Sequence, residues 1–448
     1  MKLLKISISG VRGIIGDALT PCLAMDFASA FATLVSSRKI LIGRDTRLSS
    51  PMIASSVCAA LMASGSDVED LGVCPAPILQ YTVKKSGAAG GVSVSAGHNS
   101  GDWNALAFIN HEGTTLNEYQ GEELLDIYHL ERFKKASFDR LGTRSKREGY
   151  SETYFKALGS FLNRSVIAAR GFKIVIDPCN GAGAGFINHF SRILNCELIP
   201  INNTPSGYFP HDPEPRPRNA TEVASILRIT KADIGFLLNS DVSRISLVAE
   251  DGETLSEEYT LPLIADYYLE KNPGPVVTNH STSSMITAVA ARHKCPLVRA
   301  KVGQSHGIQT MLDEDAVLAG EGSGSLALRD FFPAFDGFLA MGKILEILAV
   351  KKKKLSDLIR RLPRCHIIKE KIACPTAKVH SIINEMKRHY PRNKVNTDDG
   401  LKIYKSDGWL HIRASATEPM IRIIAESRTK AKAAEYLEKA AYYVRQMT

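Results

Sequence analysis

Short apolar runs closed by glycine or polar loops alternate with helically spaced segments through most of the chain. Ile40-Leu41-Ile42 before Gly43 has the pattern of a buried strand. Residues 51–64 carry apolar side chains at helical spacing, and Gly65 stops that segment. Residues 89–94 predict the next strand. Strand, helix and strand at this spacing predict βαβ units and a largely parallel sheet. The theme recurs with a helix over 150–169, a strand over 172–177, a helix over 184–194 and a strand over 232–238. It recurs again with a strand over 276–278, a helix over 283–292, a strand over 316–320 and a helix over 335–350. Beyond 363–366 the order changes to a helix over 377–389, strands over 400–404, 409–413 and 421–426, and a helix over 430–446. Strands grouped apart from helices predict an α+β unit there.

The expected fold is therefore α/β with four domains. Three α/β units with mixed, mostly parallel sheets span 1–149, 150–254 and 255–364, and an α+β unit spans 365–448. Each α/β unit ends a strand in a polar or glycine-rich loop, where open parallel sheets place ligands.

Length and composition fit this division: 448 residues, 44% hydrophobic and 23% charged, are ordinary globular values for several domains. No apolar run is long enough to span a bilayer, and the first residues lack a secretory leader pattern, so a cytoplasmic protein without membrane contact is expected. The net charge of +9 comes from scattered basic residues. The one dense run, Lys351 to Lys354, reads as a solvated helix end, so nucleic acid is not an expected partner. A mildly basic chain suits anionic small substrates. The eight cysteines include no C-x-x-C pair and read as reduced, buried thiols.

Five loops at element ends carry candidate chemistry. Gly43-Arg44-Asp45-Thr46-Arg47 joins a strand to a helix, and its arginines favour an anion. Residues 95–104 form the densest polar loop after a strand, and its His98 can titrate near neutral pH. Asn239-Ser240-Asp241-Val242-Ser243-Arg244 offers one carboxylate, thin provision for a divalent cation. The loop from Gly320 to Ser325, with Glu321, Ser323 and Ser325, suits sugar hydroxyls. The sharpest is Arg413-Ala414-Ser415-Ala416-Thr417 with Arg422, which predicts a phosphate cradle of Arg413, Ser415, Thr417 and Arg422.

With these loops in this order, the chain resembles the α-D-phosphohexomutase family over essentially its whole length. The opening from Ser7 to Ile14, the phrase Trp103-Asn104-Ala105-Leu106 and the Gly320-Glu321-Gly322 loop look closest to the phosphoglucosamine mutase type. The resemblance implies four domains around a central cleft and transfer of a phosphoryl group between O6 and O1 of a hexose. It implies a phosphoserine in the first domain, Mg²⁺ at Asn239, Asp241 and Ser243, and a hexose 1,6-bisphosphate intermediate. It implies sugar contacts from Arg44, Asn104, Arg244, Lys301, Glu321, Ser323 and Ser325. The partner it implies is a hexose phosphate or amino-hexose phosphate; the sequence names no protein partner.

The family's serine loop reads Ser95-Ala96-Gly97-His98-Asn99-Ser100 here, with Gly97 at the phosphoserine position. Glycine has no oxygen to hold a phosphoryl group. A lysine position that supports proton transfer in the family holds Ala107, and the metal loop has lost two of three carboxylates. Nucleophile, proton-transfer helper and metal are affected together, while the binding residues remain. The expectation is a phosphosugar-binding member with lost or altered mutase chemistry. An active mutase would have to use His98, Ser95 or Ser100 beside Arg12. A non-catalytic regulatory or scaffolding protein is the third reading.

Overall fold

In the computed structural model, residues 4–36, 38–391, 394–415 and 420–448 are described. Four sheets follow one another along the chain. The first has seven strands, in the spatial order Leu4–Ser7, Gly10–Ile14, Trp103–Asn110, Gly90–Val94, Ile40–Arg44, Val68–Val73 and Arg144–Lys146. Its pairings are antiparallel over the first half and parallel over the second. The second sheet orders Ile245–Val248, Ile234–Leu238, Lys173–Asp177 and Glu197–Pro200, antiparallel only at the first pair. The third orders Leu297–Ala300, Val276–Asn279, Leu318–Glu321 and Ser325–Leu328, antiparallel only at the last pair. The fourth is wholly antiparallel, with strands His366–Ala373, Met420–Ser427, Gly408–Ala414, Leu401–Lys405 and Val395–Asn396.

The apolar patterning accounts for the cores. The first three units share one continuous buried cluster, running from Leu41 and Tyr81 through Tyr154 and Phe236 to Phe338 and Leu345. Helix Gly337–Lys351 is buried almost all round, so it serves as an internal beam between the second and third units. The last unit has a separate core built on Ile372, Leu401, Ile412 and Val444. It meets the others mainly through polar contacts, among them the ion pairs from Lys369 to Glu257 at 2.9 Å and Glu258 at 2.7 Å.

Several sequence readings are corrected in detail. The helix over 150–169 is two helices, Tyr150–Phe161 and Arg164–Arg170. The chain breaks at Asn163, whose N–H donates to Glu346 Oε2 at 3.1 Å. The helix over 184–194 begins as a 3₁₀ turn, Ala182–Gly185, before Ile187–Leu194. The strand over 316–320 lies at Leu318–Glu321. Strands Leu4–Ser7, Gly10–Ile14 and Trp103–Asn110 make the first sheet half antiparallel, which the βαβ reading of that unit had not included. The lysine run ends a helix as expected, and Lys351 pairs with Glu270 at 2.7 Å. All eight cysteines are free thiols. Among the described residues, no helix is long and apolar enough to cross a membrane.

Candidate functional site

The loop-bearing ends of the units converge on one cleft with a cavity volume of about 450 Å³. Arg12, Gly97, His98, Asp241, Ser243, Arg244, Glu321, Arg413 and Arg422 line it. Parallel strands deliver loops 95–100 and 239–244, because strand ends of one direction gather on one edge of each sheet. Antiparallel pairing delivers the two cradle arginines, since Arg413 and Arg422 are direct cross-strand partners and share a face.

The first two domains are locked together beneath the cleft. Asp45 accepts from Ser95 Oγ at 2.7 Å, Ser50 Oγ at 2.7 Å and the Arg47 N–H at 3.1 Å, and it pairs with the Arg47 guanidinium. Arg47 is fully buried, stacks over the Phe209 ring at 4.9 Å, and donates to the carbonyls of Gly97 and Asn99 and to Ser240 Oγ. This arginine therefore shapes the loop instead of meeting a ligand, a correction to the reading in which both arginines of 43–47 favour an anion. Ser240 Oγ donates to the Gly97 carbonyl at 2.6 Å, and the Gly97 N–H donates to Ser95 Oγ at 3.0 Å. Gly97 has φ +57°, and a Cβ built on it would lie 2.8 Å from Asp241 Oδ2.

The electrostatics are cationic. Burial, then the charges of Arg244, Arg12, Arg422 and Lys371, hold the His98 imidazole well below its usual pKa. It is neutral at pH 7, a correction to the expectation of titration near neutrality. Burial, then Arg244, lowers Arg12 to about 10; burial, then Arg422, lowers Arg413 to about 10. Both guanidiniums stay charged at neutral pH, and each would gain from an anion between them. Arg12 also donates to Asn99 Oδ1 at 2.5 Å.

The other predicted residues divide between the cavity wall, which holds Glu321 and Ser95, and the structure around it. Asn104 is fully buried and donates to Ser49 Oγ and Ser50 Oγ at 2.9 and 3.0 Å, so the structure spends it on the strand–helix joint. Arg44 donates to the Asp45 carbonyl at 3.3 Å, and neither it nor exposed Lys301 is on the cavity wall. Glu321 accepts from the Gly303 N–H at 2.9 Å and from Ser323 Oγ at 3.4 Å. Ser325 is buried with its Oγ 3.1 Å from Ser323 Oγ, behind the wall. Ser95 is buried and committed to Asp45, while exposed Ser100 donates to Asp102 at 2.6 Å. Ser415 is buried, and its N–H donates to the Met420 carbonyl at 2.9 Å. Thr417 lies outside the described residues. Sequence reasoning missed Gln80, which is buried on the cavity floor, accepts from Gln304 Nε2 at 3.3 Å and leaves its own Nε2 without a partner. A polar residue on the apolar side of helix Ala76–Ser86 was the available signal.

The loop 239–244 does not fit Mg²⁺. The Arg244 N–H donates to Asn239 Oδ1 at 3.0 Å, which fixes the amide orientation. Asn239 Nδ2 then points at Asp241 Oδ1 (2.7 Å) and Ser243 Oγ (3.1 Å), presenting N–H where a hard cation needs oxygen lone pairs. Ser243 closes the ring, donating from Oγ to Asp241 Oδ1 at 2.7 Å. Among the described residues there is also no group of three or more His, Cys, Asp or Glu able to hold a metal.

Comparison with known proteins agrees with this architecture. Profiles of phosphoglucomutase/phosphomannomutase α/β/α domains I, II and III match residues 4–135, 152–252 and 256–365, and the C-terminal domain profile matches 370–441. A phosphoglucomutase/phosphomannomutase of Thermococcus kodakarensis is 32% identical, with 96% of each chain covered. A probable phosphoglucosamine mutase of Pyrococcus abyssi is 31% identical, with 96% of each covered. A crystal structure of a phosphoglucomutase/phosphomannomutase family protein from Burkholderia thailandensis superposes with a TM-score of 0.84 at 25% identity, covering 99% of this chain and 98% of the other.

Proposed function

The chain belongs to the phosphoglucomutase/phosphomannomutase family, and from that membership we propose that it binds a hexose or amino-hexose phosphate without running the family's phosphoserine chemistry. The observation that carries this reading is the contrast within one cleft. The anion-binding side keeps Arg12, Arg244, Arg413 and Arg422 on one cavity wall, where Arg244 and Arg422 bear on Arg12 and Arg422 bears on Arg413. The side that would hold the phosphoserine has Gly97, with no side-chain oxygen and with Asp241 Oδ2 close against it.

The residues act by binding and orientation. Arg413 and Arg422, on adjacent strands, grip the phosphate of the sugar, with Ser415 following Arg413 on the same strand end. Glu321 and Ser323 accept and donate to ring hydroxyls. Arg12, Arg244 and neutral His98 face the other end of the sugar, where a second anionic or polar group is favoured. Asn239, Asp241 and Ser243 satisfy one another and supply no metal. Names of the similar proteins support glucose, mannose and glucosamine phosphates as the ligands to try first.

A coupled assay of phosphoryl migration on the 1-phosphates of glucose, mannose and glucosamine, with Mg²⁺ and a bisphosphate primer, tests the chemistry. The reading expects rates far below the roughly 1–10³ per second of ordinary enzymes. Turnover in that range overturns it.

A further inference from the structure

Resting on this reading of the cleft, we propose that Asp241 takes the place of the missing serine as phosphoryl acceptor, forming an aspartyl phosphate from a hexose 1,6-bisphosphate. The two carboxylate oxygens of Asp241 are in different situations. Oδ1 accepts three hydrogen bonds, from Asn239 Nδ2 at 2.7 Å, the Ser243 N–H at 3.0 Å and Ser243 Oγ at 2.7 Å. No hydrogen-bond donor among the described residues engages Oδ2. That free oxygen lies 2.8 Å from the point where a Cβ on residue 97 would be. A serine Oγ lies about 1.4 Å beyond its Cβ by ordinary covalent geometry, comparable to the backbone single-bond lengths. Oδ2 therefore stands within a few ångströms of the place a serine nucleophile would occupy, on the wall of the same cavity.

The surroundings favour such a group. Residue 97 and Asp241 are held in fixed relation, because Ser240 and Arg47 both donate to the Gly97 carbonyl. The next residue, Val242, is β-branched and fully buried at φ +64°, a backbone state that costs on the order of 1–2 kcal/mol and is unusual for such a side chain. Core packing imposes it: the Gly337 N–H donates to the Val242 carbonyl at 2.7 Å. Arg12 and Arg244 converge on the same space, so the charge spread over a transferring phosphoryl group meets cations without a metal.

The step balances without an oxidant or reductant. A lone pair of Oδ2 attacks phosphorus, the P–Oδ2 bond forms, and the bond from phosphorus to the sugar oxygen breaks. Its electron pair stays on that oxygen, which takes a proton from water and leaves as the hydroxyl of a hexose monophosphate. Attack of water on the acyl phosphate later returns inorganic phosphate and the free carboxylate.

The test uses the full-length wild-type chain incubated with glucose 1,6-bisphosphate. Intact mass should show one added phosphoryl group, removed by hydroxylamine, and borohydride trapping followed by peptide sequencing should convert residue 241 to homoserine. Asp241→Asn should lose the adduct while still binding glucosamine 6-phosphate in a calorimetric titration, which controls for folding. A hydroxylamine-stable adduct, or one mapped to Ser95, Ser100 or His98, overturns the proposal. Absence of any adduct in a wild type that binds glucosamine 6-phosphate overturns it and leaves the binding function standing. Failure of the wild type to bind any sugar phosphate overturns the binding function itself.

Discussion

Replacing Arg413 by methionine separates a ligand-binding arginine from one that merely stabilises the last domain. Arg413 is 6% exposed, faces Arg422 across the strand pair, and leaves its Nε without a partner. Its pKa falls from the usual arginine range to about 10, first through burial and then through Arg422. A fall of that size corresponds to about 3 kcal/mol of cost to the charged form in the free protein. Methionine keeps much of the side-chain volume and removes the charge. The lost bond from Nη1 to the Ala414 carbonyl, 3.0 Å long, offsets about 1 kcal/mol of the gain. The free variant should therefore be more stable than wild type by about 1–2 kcal/mol in urea unfolding at pH 7. Phosphate binding should weaken, because a charge-assisted hydrogen bond contributes about 1.5–3 kcal/mol. That is about ten- to a hundredfold in affinity for glucose 1-phosphate or glucosamine 6-phosphate, read by calorimetry. A variant that binds both sugars like wild type but unfolds more easily would refute the reasoning, since it would make Arg413 a structural residue.

Gly97→Ser should lower stability by about 1–3 kcal/mol, because φ is +57° and the new Cβ would press on Asp241 Oδ2; a thermal melt checks this. The same variant should not regain ordinary turnover with Mg²⁺, since Ala107 and the hydrogen-bonded Asn239 amide remain. Burial and nearby cations keep His98 neutral in the cleft, so it neither gains nor loses a proton across neutral pH. His98→Gln should therefore leave the pH dependence of hexose phosphate affinity between about 6.5 and 8 unchanged, read by calorimetry. Lys402 is 1% exposed, donates to the His280 carbonyl at 2.6 Å and has its pKa pushed down to about 6, first by burial and then by Arg299. The unfolded chain holds that proton more tightly, so stability should rise with pH from about 6 to about 10; Lys402→Met should remove the slope and add about 2 kcal/mol at pH 7 in denaturant unfolding. Magnesium at millimolar concentration, compared with a chelator, should shift the melting temperature by less than about 1 °C, because a cation that does not bind the folded state cannot stabilise it.

Much of the cleft was legible in the residues because its parts are local. Arg413 and Arg422 lie in two β-patterned runs that are near neighbours in sequence, and antiparallel pairing sets them side by side. The absence of a side-chain oxygen at Gly97 is likewise a fact of one position. What escaped depends on contacts between distant segments. Arg44 and Arg47 look alike in sequence, yet Arg47 is buried because Phe209, Ser240 and the 97–99 carbonyls close around it. Asn104 follows a polar loop and so reads as a sugar contact, but on strand Trp103–Asn110 it faces Ser49 and Ser50. The Asn239 amide could coordinate through oxygen in isolation; the Arg244 N–H claims that oxygen and turns the N–H₂ inward. The antiparallel half of the first sheet was missed for a similar reason, since Gly10–Ile14 pairs with Trp103–Asn110 far along the chain.

The central claim is that this cleft still holds a hexose phosphate. Calorimetric titration of the wild-type chain with glucosamine 6-phosphate, glucose 1-phosphate and glucose 1,6-bisphosphate in metal-free buffer measures it directly. The account predicts saturable binding of at least one of them at or below about millimolar concentration, a binding free energy of roughly 4 kcal/mol or more. No heat of binding from any of the three at millimolar concentration, with the protein shown to be folded, would contradict it.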